Sequence, residues 1–422
     1  MKQITVTEYQ PIVAGAGGVP RAAFDALKMM ILKSADSQGE VLDFMQLSVR
    51  KGIGEVIIAK NYVGIIVTKD GTVLEILPKI TGDQNQDDVR KLLLNMLKTL
   101  RDNAPFKHIQ TAHLNTARIP LLEVFIRMFI NEVSALVKRG LKGGYQTVQQ
   151  NGCTFKGKLR VLDHIRANYA HKERCFVEYD SFELNRPENR IIKSTLLFLC
   201  RITTDIRIRS DLSKLLFVFD EVDPSNNVEA DFQSVSTLRD MKEYETILNW
   251  CRVFLQKESF TPFSGDEIAL SLLFPMETLF ESYIASLCRK YVSSDYTLHI
   301  QDHQYYLFDD PQKRFRIRPD IVFRENSSHQ TLVMDTKWKK LSSSSPNYGI
   351  SQADMYQMYV YHKKYSEKYS VKKVVVIYPQ IDSSLTEFDM KTNDNVHVSI
   401  RFVDILNDPE ASIERLLDKE LL

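Results

Sequence analysis

Two acidic residues and a lysine lie at the ends of two neighbouring strand-like segments in the C-terminal part of the sequence. Asp320 opens the apolar run IVF, while Asp335 and Lys337 follow the apolar run TLVM. Because residues two apart on a strand share a face, Asp335 and Lys337 point the same way. In a hairpin centred on Ser327-Ser328, which is one register among several, Asp320 lies directly opposite Asp335. That register places two carboxylates and one ammonium on a single face.

This group of side chains suits hydrolysis with a hard metal ion. Two carboxylates about 4 to 5 Å apart repel each other and raise one pKa unless a cation lies between them. Carboxylate oxygens with few other protein ligands favour Mg²⁺, or alternatively Mn²⁺, and such ions keep several waters and also bind substrate phosphate. The metal acidifies a bound water, and Lys337 can orient that water and stabilise the developing oxyanion.

The preceding helical segment contributes two further carboxylates. Glu277 and Glu281 lie one turn apart on the same side of that helix. Either can reach the metal through a water, and we take Glu281 as the first choice, although a solvated helix carboxylate is an equally common role. A run of basic residues also leads toward the site and predicts a groove for the DNA backbone, with an exposed strand face as the alternative. These basic residues are Lys313, Arg314, Arg316 and Arg318.

The order of these motifs resembles the PD-(D/E)xK nuclease superfamily. A helical glutamate is followed by a Pro-Asp that opens an apolar strand, a strand that ends in Asp-Thr-Lys, a helix and a buried strand. The segments FPMETLFESYI, RIRPDIVF, VMDTKWK and ADMYQMYVY are similar to the nuclease domain of the McrC family, the cleavage subunits of McrBC restriction systems. Upstream, VLEILPKI, FKGKLRVLDHI and FELNRPENRIIKSTL are also similar to that family, so the resemblance covers nearly the whole chain.

The resemblance implies a Mg²⁺-dependent DNA endonuclease that acts only when recruited by a McrB-type AAA+ GTPase hexamer. It implies that the N-terminal half docks into the GTPase ring and stimulates GTP hydrolysis, so that GTP is used only through the partner. By motif, the metal ligands fall on Asp320 and Asp335 and the catalytic lysine on Lys337, and we add Glu281 to the expected metal ligands. Double-stranded DNA is the expected substrate. Transient pairing of two nuclease domains stays an open alternative.

The helix SQADMYQMYVY carries two pairs of glutamine and tyrosine at helical spacing. Gln352 with Tyr356, and Gln357 with Tyr361, share a helix face. For Tyr359 we favour an aromatic core stripe. For Gln357 the family resemblance favours an active-site role that positions a phosphate or a metal-bound water.

The patterns predict an α/β multi-domain protein with three domains. Residues 1–80 predict short strands, with a tight turn at Lys69-Asp70-Gly71, in a β-rich, barrel-like domain or a curled sheet that a helix caps. Residues 81–261 predict a mainly helical, partner-binding domain with a projecting hairpin that turns at Asn151-Gly152. Residues 262–422 predict a restriction-endonuclease-like α/β domain that begins with the helix GDEIALSLLFPMETLFESYIASLCRKYV.

The bulk composition limits how this chain binds DNA and where it works. Among 422 residues, 55 Lys and Arg balance 54 Asp and Glu to a net charge of +1, which excludes the global basic field of a stand-alone DNA binder. DNA affinity must therefore come from local patches or from the partner. The N-terminus lacks the apolar core of a signal peptide and no stretch is long enough for a membrane span, so we expect a cytoplasmic protein without membrane contact.

Other sequence features predict no additional site. The five cysteines are scattered without a CxxC pair, which argues against a zinc site and a disulfide framework. The glycine-rich AGAGGV lacks the Gly-Lys-Ser/Thr of a phosphate-binding loop. The rival to an endonuclease is a non-catalytic adaptor, in which a docking-only nuclease fold activates the GTPase. Because a decayed site is expected to have lost at least one of Asp320, Asp335 and Lys337, the presence of all three favours the enzyme.

Overall fold

The protein is described here by a computed structural model, in which the described residues form two compact units. These residues are 2–15, 17–36, 44–80, 86–100, 119–235, 242–256, 268–328, 330–382 and 384–421. Unit 1 combines Met1–Leu121 with Ser259–Leu422, and unit 2 is Leu122–Glu258. The domain boundaries predicted at 80/81 and at 261/262 lie at or within segments outside the described residues. Residues 1–80 and 262–422, predicted as separate domains, both belong to unit 1.

The strands lie in both units. In chain order they are β1 Gln3–Thr7, β2 Pro11–Ile12, β3 Met45–Arg50, β4 Gly54–Ala59, β5 Tyr62–Thr68, β6 Val73–Leu77, β7 Gly144–Gly152, β8 Lys158–Leu159, β9 Cys175–Glu183, β10 Ile268–Pro275, β11 Tyr296–Ile300, β12 Tyr306–Phe308, β13 Arg314–Arg316, β14 Ile321–Glu325, β15 Gln330–Thr336, β16 Ser370–Pro379, β17 Phe388–Lys391 and β18 His397–Val403.

Helices account for most of unit 2 and cover the sheets of unit 1. They are α1 Arg21–Asp36, α2 Gln86–Lys98, α3 Leu121–Arg139, α4 Val161–Asn168, α5 Pro187–Ile202, α6 Ile206–Val218, α7 Val228–Ser234, α8 Lys242–Cys251, α9 Met276–Tyr291, α10 Gln352–Ser366 and α11 Pro409–Leu421, with a π-helix at Arg252–Gln256 and a 3₁₀-helix at Pro346–Gly349. Within the part of the chain that the structure describes, no helix combines the length and the apolar character that crossing a membrane requires.

The N-terminal strands form two open sheets, so the predicted barrel-like closure is wrong. β2, β4 and β3 form one sheet, and β1, β6, β5 and β10 form another in that order. The barrel does not close because β10, from much later in the chain, extends the second sheet beyond β5. The predicted turn at Lys69-Asp70-Gly71 is confirmed, since Thr68 N donates to Thr72 O at 3.0 Å. The predicted capping helix is α1, whose Phe24 and Leu27 are buried against these sheets.

The segment before α9 is a strand rather than the predicted start of a helix. Ile268–Pro275 pairs antiparallel with β5. The approach is close: a Cβ on Gly64, which has φ +136°, would lie 1.9 Å from the Leu272 carbonyl oxygen. Only glycine permits this pairing, because it lacks a Cβ and tolerates positive φ. Pro275 then ends the strand and stands at the N-cap of α9.

A six-stranded sheet forms the centre of the C-terminal part of unit 1. Its order is β11-β14-β15-β16-β18-β17, with β14 and β15 as an antiparallel hairpin and β15, β16 and β18 parallel. The parallel strands are mostly buried, as expected when both faces are covered. α10 packs against β16, and α9 packs against β15. The α/β layering predicted for this region is therefore present.

Unit 2 is a helical cluster with a long antiparallel strand pair. α5 packs against α6, α7 and α8. β7 and β9 pair over nine residues each, and β8 pairs with β9. The predicted turn at Asn151-Gly152 is wrong, because these residues pair with Phe176 and Cys175. β8 and α4 lie in the chain between the two long strands.

Candidate active site

The β14–β15 hairpin has the register that the sequence analysis preferred. Ile321 pairs with Met334 and Val322 with Val333, so the next position outward sets Asp320 opposite Asp335. The paired centres of the two strands, residues 321–323 and 332–334, are buried and apolar, and a one-residue slip would turn each of these side chains to the other face. The two carboxylates thus lie side by side at the end of the hairpin.

The Asp320 carboxylate is held by the opposite strand. Its Oδ2 accepts hydrogen bonds from the backbone N and the Oγ1 of Thr336, both at 2.7 Å. Thr336 lies between Asp335 and Lys337, so its two donors orient Asp320 from within the same motif. The backbone of Lys337 is fixed in turn, because its N donates to the Ile377 carbonyl oxygen at 2.9 Å.

Asp335 and Lys337 form an ion pair in a largely buried position. Lys337 Nζ lies 2.5 Å from Asp335 Oδ2, and the side chains are 20% and 1% exposed respectively. The alternation of a strand predicted this common face, and the structure confirms it. In this arrangement the ammonium stays close to the carboxylate that would bind a cation.

The surroundings of this site disfavour the ionised form of its three carboxyl groups. Burial raises the pKa of Asp335 to about 7, the Asp320 carboxylate adds to the rise, and Lys337 opposes it. Burial also raises the pKa of Asp320, although Thr336 donates to it. Burial raises the pKa of Glu281 to about 7, again with a contribution from Asp320. Burial lowers the pKa of Lys337, but Asp335 and Asp320 raise it more, so the net direction is upward. Three carboxylates therefore share the site with two cations, Lys337 and Arg318, and the excess of negative charge favours a further cation.

Glu281 is tied to a residue that the sequence analysis missed. Gln301 Nε2 donates to Glu281 Oε1 at 2.6 Å, and Gln301 Oε1 accepts from Arg318. Gln301 N also donates to the Asp320 carbonyl oxygen at 2.7 Å. With φ +51°, Gln301 has a backbone conformation that is uncommon for a residue with a side chain. No sequence pattern marks this residue, because its partners lie on two other segments, α9 and the residues just before β14.

Gln357 lies beside the hairpin rather than against its carboxylates. Its Nε2 donates to Tyr361 Oη at 2.6 Å, and Tyr361 Oη donates to the Arg318 carbonyl oxygen at 3.0 Å. The predicted pairing of Gln352 with Tyr356 is also present, at 2.5 Å. The core position expected for Tyr359 is wrong: it is 39% exposed and donates to Asp394 on the surface.

Two further hydrogen bonds hold the residues that follow β15. The Trp338 indole Nε1 donates to Glu8 Oε1 at 2.8 Å, although the two residues are 330 positions apart. Glu8 is 2% exposed and also accepts from the backbone N of Lys79. Lys339 Nζ donates to Asp354 Oδ2 at 2.6 Å. The role of Glu8 could not be predicted from the sequence, because its partner Trp338 is so distant in the chain.

The basic residues upstream of Asp320 lie immediately before β13, within it and just after it. Lys313, Arg314, Arg316 and Arg318 are all exposed. Arg316 and Arg318 line a groove of about 410 Å³ together with Gln357 and Tyr361. The structure thus brings Gln357 and part of the predicted basic run to one groove.

The donor set fits a metal ion that needs few protein ligands. Among the described residues, no three His, Cys, Asp or Glu side chains are arranged to hold a metal ion. The expected set of Asp320, Asp335 and Glu281 is therefore not gathered as a three-ligand cluster. What remains is a facing pair of carboxylates, Asp320 and Asp335, whose ionised forms burial disfavours and a bound cation would stabilise. Mg²⁺ and Mn²⁺ match this pair, because they retain several waters and also bind phosphate oxygens.

The comparisons with known proteins agree on one family. A family model described as a McrBC 5-methylcytosine restriction system component matches residues 57–379. The fold is similar, with a TM-score of 0.72 and 19% identity over 99% of this chain and 100% of the other, to a chain in the refined half-complex from the tetradecameric assembly of Thermococcus gammatolerans McrB AAA+ hexamers with bound McrC. A chain of the Thermococcus gammatolerans McrBC complex matches with a TM-score of 0.51 and 20% identity, covering 69% of this chain and 89% of the other. No curated protein matches this chain.

Proposed function

Because this chain belongs to the McrBC family of restriction-system components, we propose that it is the nuclease subunit of a complex with an AAA+ GTPase. In this role it hydrolyses DNA phosphodiester bonds with Mg²⁺ or Mn²⁺ and stimulates the GTPase. The observation that carries the nuclease role is the β14–β15 hairpin, which sets Asp320 opposite Asp335 and places Lys337 Nζ 2.5 Å from Asp335 Oδ2.

In the proposed reaction, Asp320 and Asp335 hold the divalent ion. The bound ion supplies Lewis acidity and lowers the pKa of a water ligand. Lys337, whose Nζ lies 2.5 Å from Asp335 Oδ2, donates to a non-bridging oxygen of the scissile phosphate as negative charge develops there. Thr336 keeps Asp320 in place through its two hydrogen bonds. Arg318 and Gln357 face the adjoining groove and contact the phosphates that flank the scissile bond.

The partner is proposed on two grounds. One similar chain comes from an assembly of McrB AAA+ hexamers with bound McrC, and another comes from a McrBC complex. In unit 2, large apolar side chains are exposed on or next to α4, where Leu162 is 72%, Ile165 58% and Tyr169 88% exposed. Their spacing places them on one side of the helix, and an exposed apolar stripe of this kind is typical of a docking surface.

The test is cleavage by the reconstituted complex. The chain, its GTPase partner, GTP, Mg²⁺ and double-stranded DNA are combined, and wild type is compared with Asp335→Ala. Cleavage is expected to disappear while stimulation of GTP hydrolysis persists, since Asp335 acts only in the nuclease step. Asp394→Ala is the matched control, because Asp394 also pairs with a lysine, Lys363, at 2.7 Å but on the surface.

Two results would contradict the proposal. An unchanged cleavage rate for Asp335→Ala would remove the catalytic assignment. A wild-type complex that hydrolyses GTP faster but never cuts DNA would favour the adaptor role instead.

A further inference from the structure

The hairpin next to the candidate site exposes two aromatic rings. β12 and β13 pair with each other, with Tyr306 opposite Arg316 and Phe308 opposite Arg314. Phe315 is 71% exposed and Phe308 is 52% exposed. Their ring centroids are 5.9 Å apart in an edge-to-face arrangement. Large apolar side chains grouped in this way on a surface mark a binding role more often than isolated ones do.

The backbone at Phe315 has an unusual conformation. Its φ of +56° lies in the left-handed region, which a bulky residue rarely adopts. In a regular two-stranded ladder Phe308 and Phe315 would lie on opposite faces, because Phe308 is opposite Arg314 and side chains alternate. The left-handed backbone of Phe315 breaks this alternation, and the two phenylalanine rings are in contact. Local strain of this kind is concentrated at functional sites.

Two cations pack against a third ring of the hairpin, that of Tyr306. Arg316 lies over the Tyr306 ring at 5.1 Å, and Lys313 lies over the same ring at 5.8 Å. Arg316 Nε also donates to Tyr306 Oη at 3.0 Å. Tyr306 thus orients two basic side chains beside the exposed rings. Aromatic faces next to a basic surface are the combination with which proteins bind the bases and the backbone of opened nucleic acid strands.

The β12–β13 hairpin lines a groove that also reaches residues bonded to the carboxylates of the candidate site. Phe315 and Arg316 line the same groove of about 410 Å³ as Arg318 and Gln357. Arg318 donates to Gln301, which donates to Glu281. A DNA strand in this groove with a phosphate near the carboxylates would therefore pass the exposed rings.

We propose that the β12–β13 hairpin is a base-contacting wedge. Phe308 and Phe315 stack on DNA bases that are unpaired or unstacked close to the scissile phosphate, and Lys313, Arg314 and Arg316 bind the neighbouring phosphates. This inference rests on the proposed DNA-cleaving function and adds that the site holds locally opened DNA. Base faces become available only where stacking is broken, so single-stranded DNA is the stronger ligand.

The test is DNA binding by the full-length chain without chemistry. Fluorescence anisotropy is measured in EDTA with a labelled single strand and with its duplex, over a series of salt concentrations. Phe315→Ala is expected to weaken single-strand binding roughly 5-fold or more at every salt concentration, because stacking releases no counterions. Phe315→Trp, which keeps a ring, is expected to bind as tightly as wild type. Arg316→Gln is expected to lower the salt dependence by about 0.7 in log–log slope.

The control is Phe217→Ala, which removes an equally exposed phenylalanine, 81% exposed, from α6. It is expected to bind DNA as wild type does. Wild-type affinity for Phe315→Ala, a Phe315→Trp variant as weak as the alanine variant, or no single-strand binding by wild type would each overturn the proposal. Because no cleavage is measured, this result is independent of Asp335→Ala: a failed wedge leaves the nuclease proposal standing, and the reverse also holds.

Discussion

At the residue scale, the proposed site depends on the Lys337 ammonium, which forms a buried ion pair with Asp335 next to Asp320. Burial raises the pKa of both Asp320 and Asp335, repulsion from Asp320 adds to the rise at Asp335, and the two carboxylates raise the pKa of Lys337. The lysine therefore stays charged while the acidic side chains remain available to a cation. A surface pair, Lys363 with Asp394, has a similar separation of 2.7 Å but is freely exposed to water. Burial, rather than the pairing itself, distinguishes the two.

Removing the Lys337 charge is expected to stop cleavage. In the reconstituted complex, Lys337→Met keeps the apolar stem and removes the donor to the developing negative charge, so the cleavage rate should fall about 100-fold or more. Stimulation of GTP hydrolysis should be unchanged. Lys363→Met, the surface counterpart, should cleave at the wild-type rate. A Lys337→Met complex that cleaves within a factor of about two of wild type would show that the ammonium has no role, since a single donor of this kind typically contributes far more.

At the element scale, the sequence predicted the local turn at Lys69-Asp70-Gly71, misplaced the one at Asn151-Gly152 and missed pairings between distant segments. The β14–β15 register was one of several that the apolar residues on either side of Ser327-Ser328 allow, and the structure has that register. By contrast, Ile268–Pro275 resembles a helix locally and becomes a strand only because β5 offers Gly64 as a partner. Gln301 and Glu8 were missed for the same reason, since their contacts come from segments distant in the sequence.

The hydrogen bond from Trp338 to Glu8, the residue that follows β1, is expected to hold the end of β15 in place, next to Asp335 and Lys337. Glu8→Ala leaves the buried indole N–H without its acceptor, which should cost about 1–3 kcal/mol of stability and also lower the cleavage rate. Glu8→Gln keeps an acceptor oxygen and should restore both. Thermal unfolding and cleavage by the reconstituted complex measure the two effects. If Glu8→Ala matches wild type in both, or if Glu8→Gln fails to restore them, Glu8 does not position this strand.

At the scale of the whole molecule, the two ends of the chain form one unit and the middle forms another. β10 joins the N-terminal sheet, so unit 1 contains residues from both ends, whereas unit 2 is one continuous segment. The net charge of +1 gives the chain little general attraction for DNA. Under the proposed function, unit 1 would carry out hydrolysis, because it contains Asp320, Asp335 and Lys337, and unit 2 would bind the GTPase through the exposed side chains of α4.

The apolar surface of α4 is expected to be needed for the partner but not for the chemistry. Leu162→Ser with Ile165→Ser should weaken GTPase stimulation roughly 10-fold or more, because buried apolar anchors dominate interface energy. Both side chains are more than half exposed in the chain alone, at 72% and 58%, so thermal stability should not change. Phe217→Ser, an exposed apolar position on α6 of the same unit, is the control. Wild-type stimulation by the double variant would mean that α4 is not the docking surface.

The central claim is that Asp320 and Asp335 bind a divalent ion beside Lys337. The most direct measurement is the anomalous scattering of Mn²⁺ in crystals of the wild-type chain and of Asp335→Asn. We predict a Mn²⁺ peak in contact with carboxylate oxygens of both aspartates in the wild type and no peak at that position in the variant. A wild-type crystal with Lys337 still paired to Asp335 and Mn²⁺ only elsewhere, or an unchanged peak in Asp335→Asn, would contradict it.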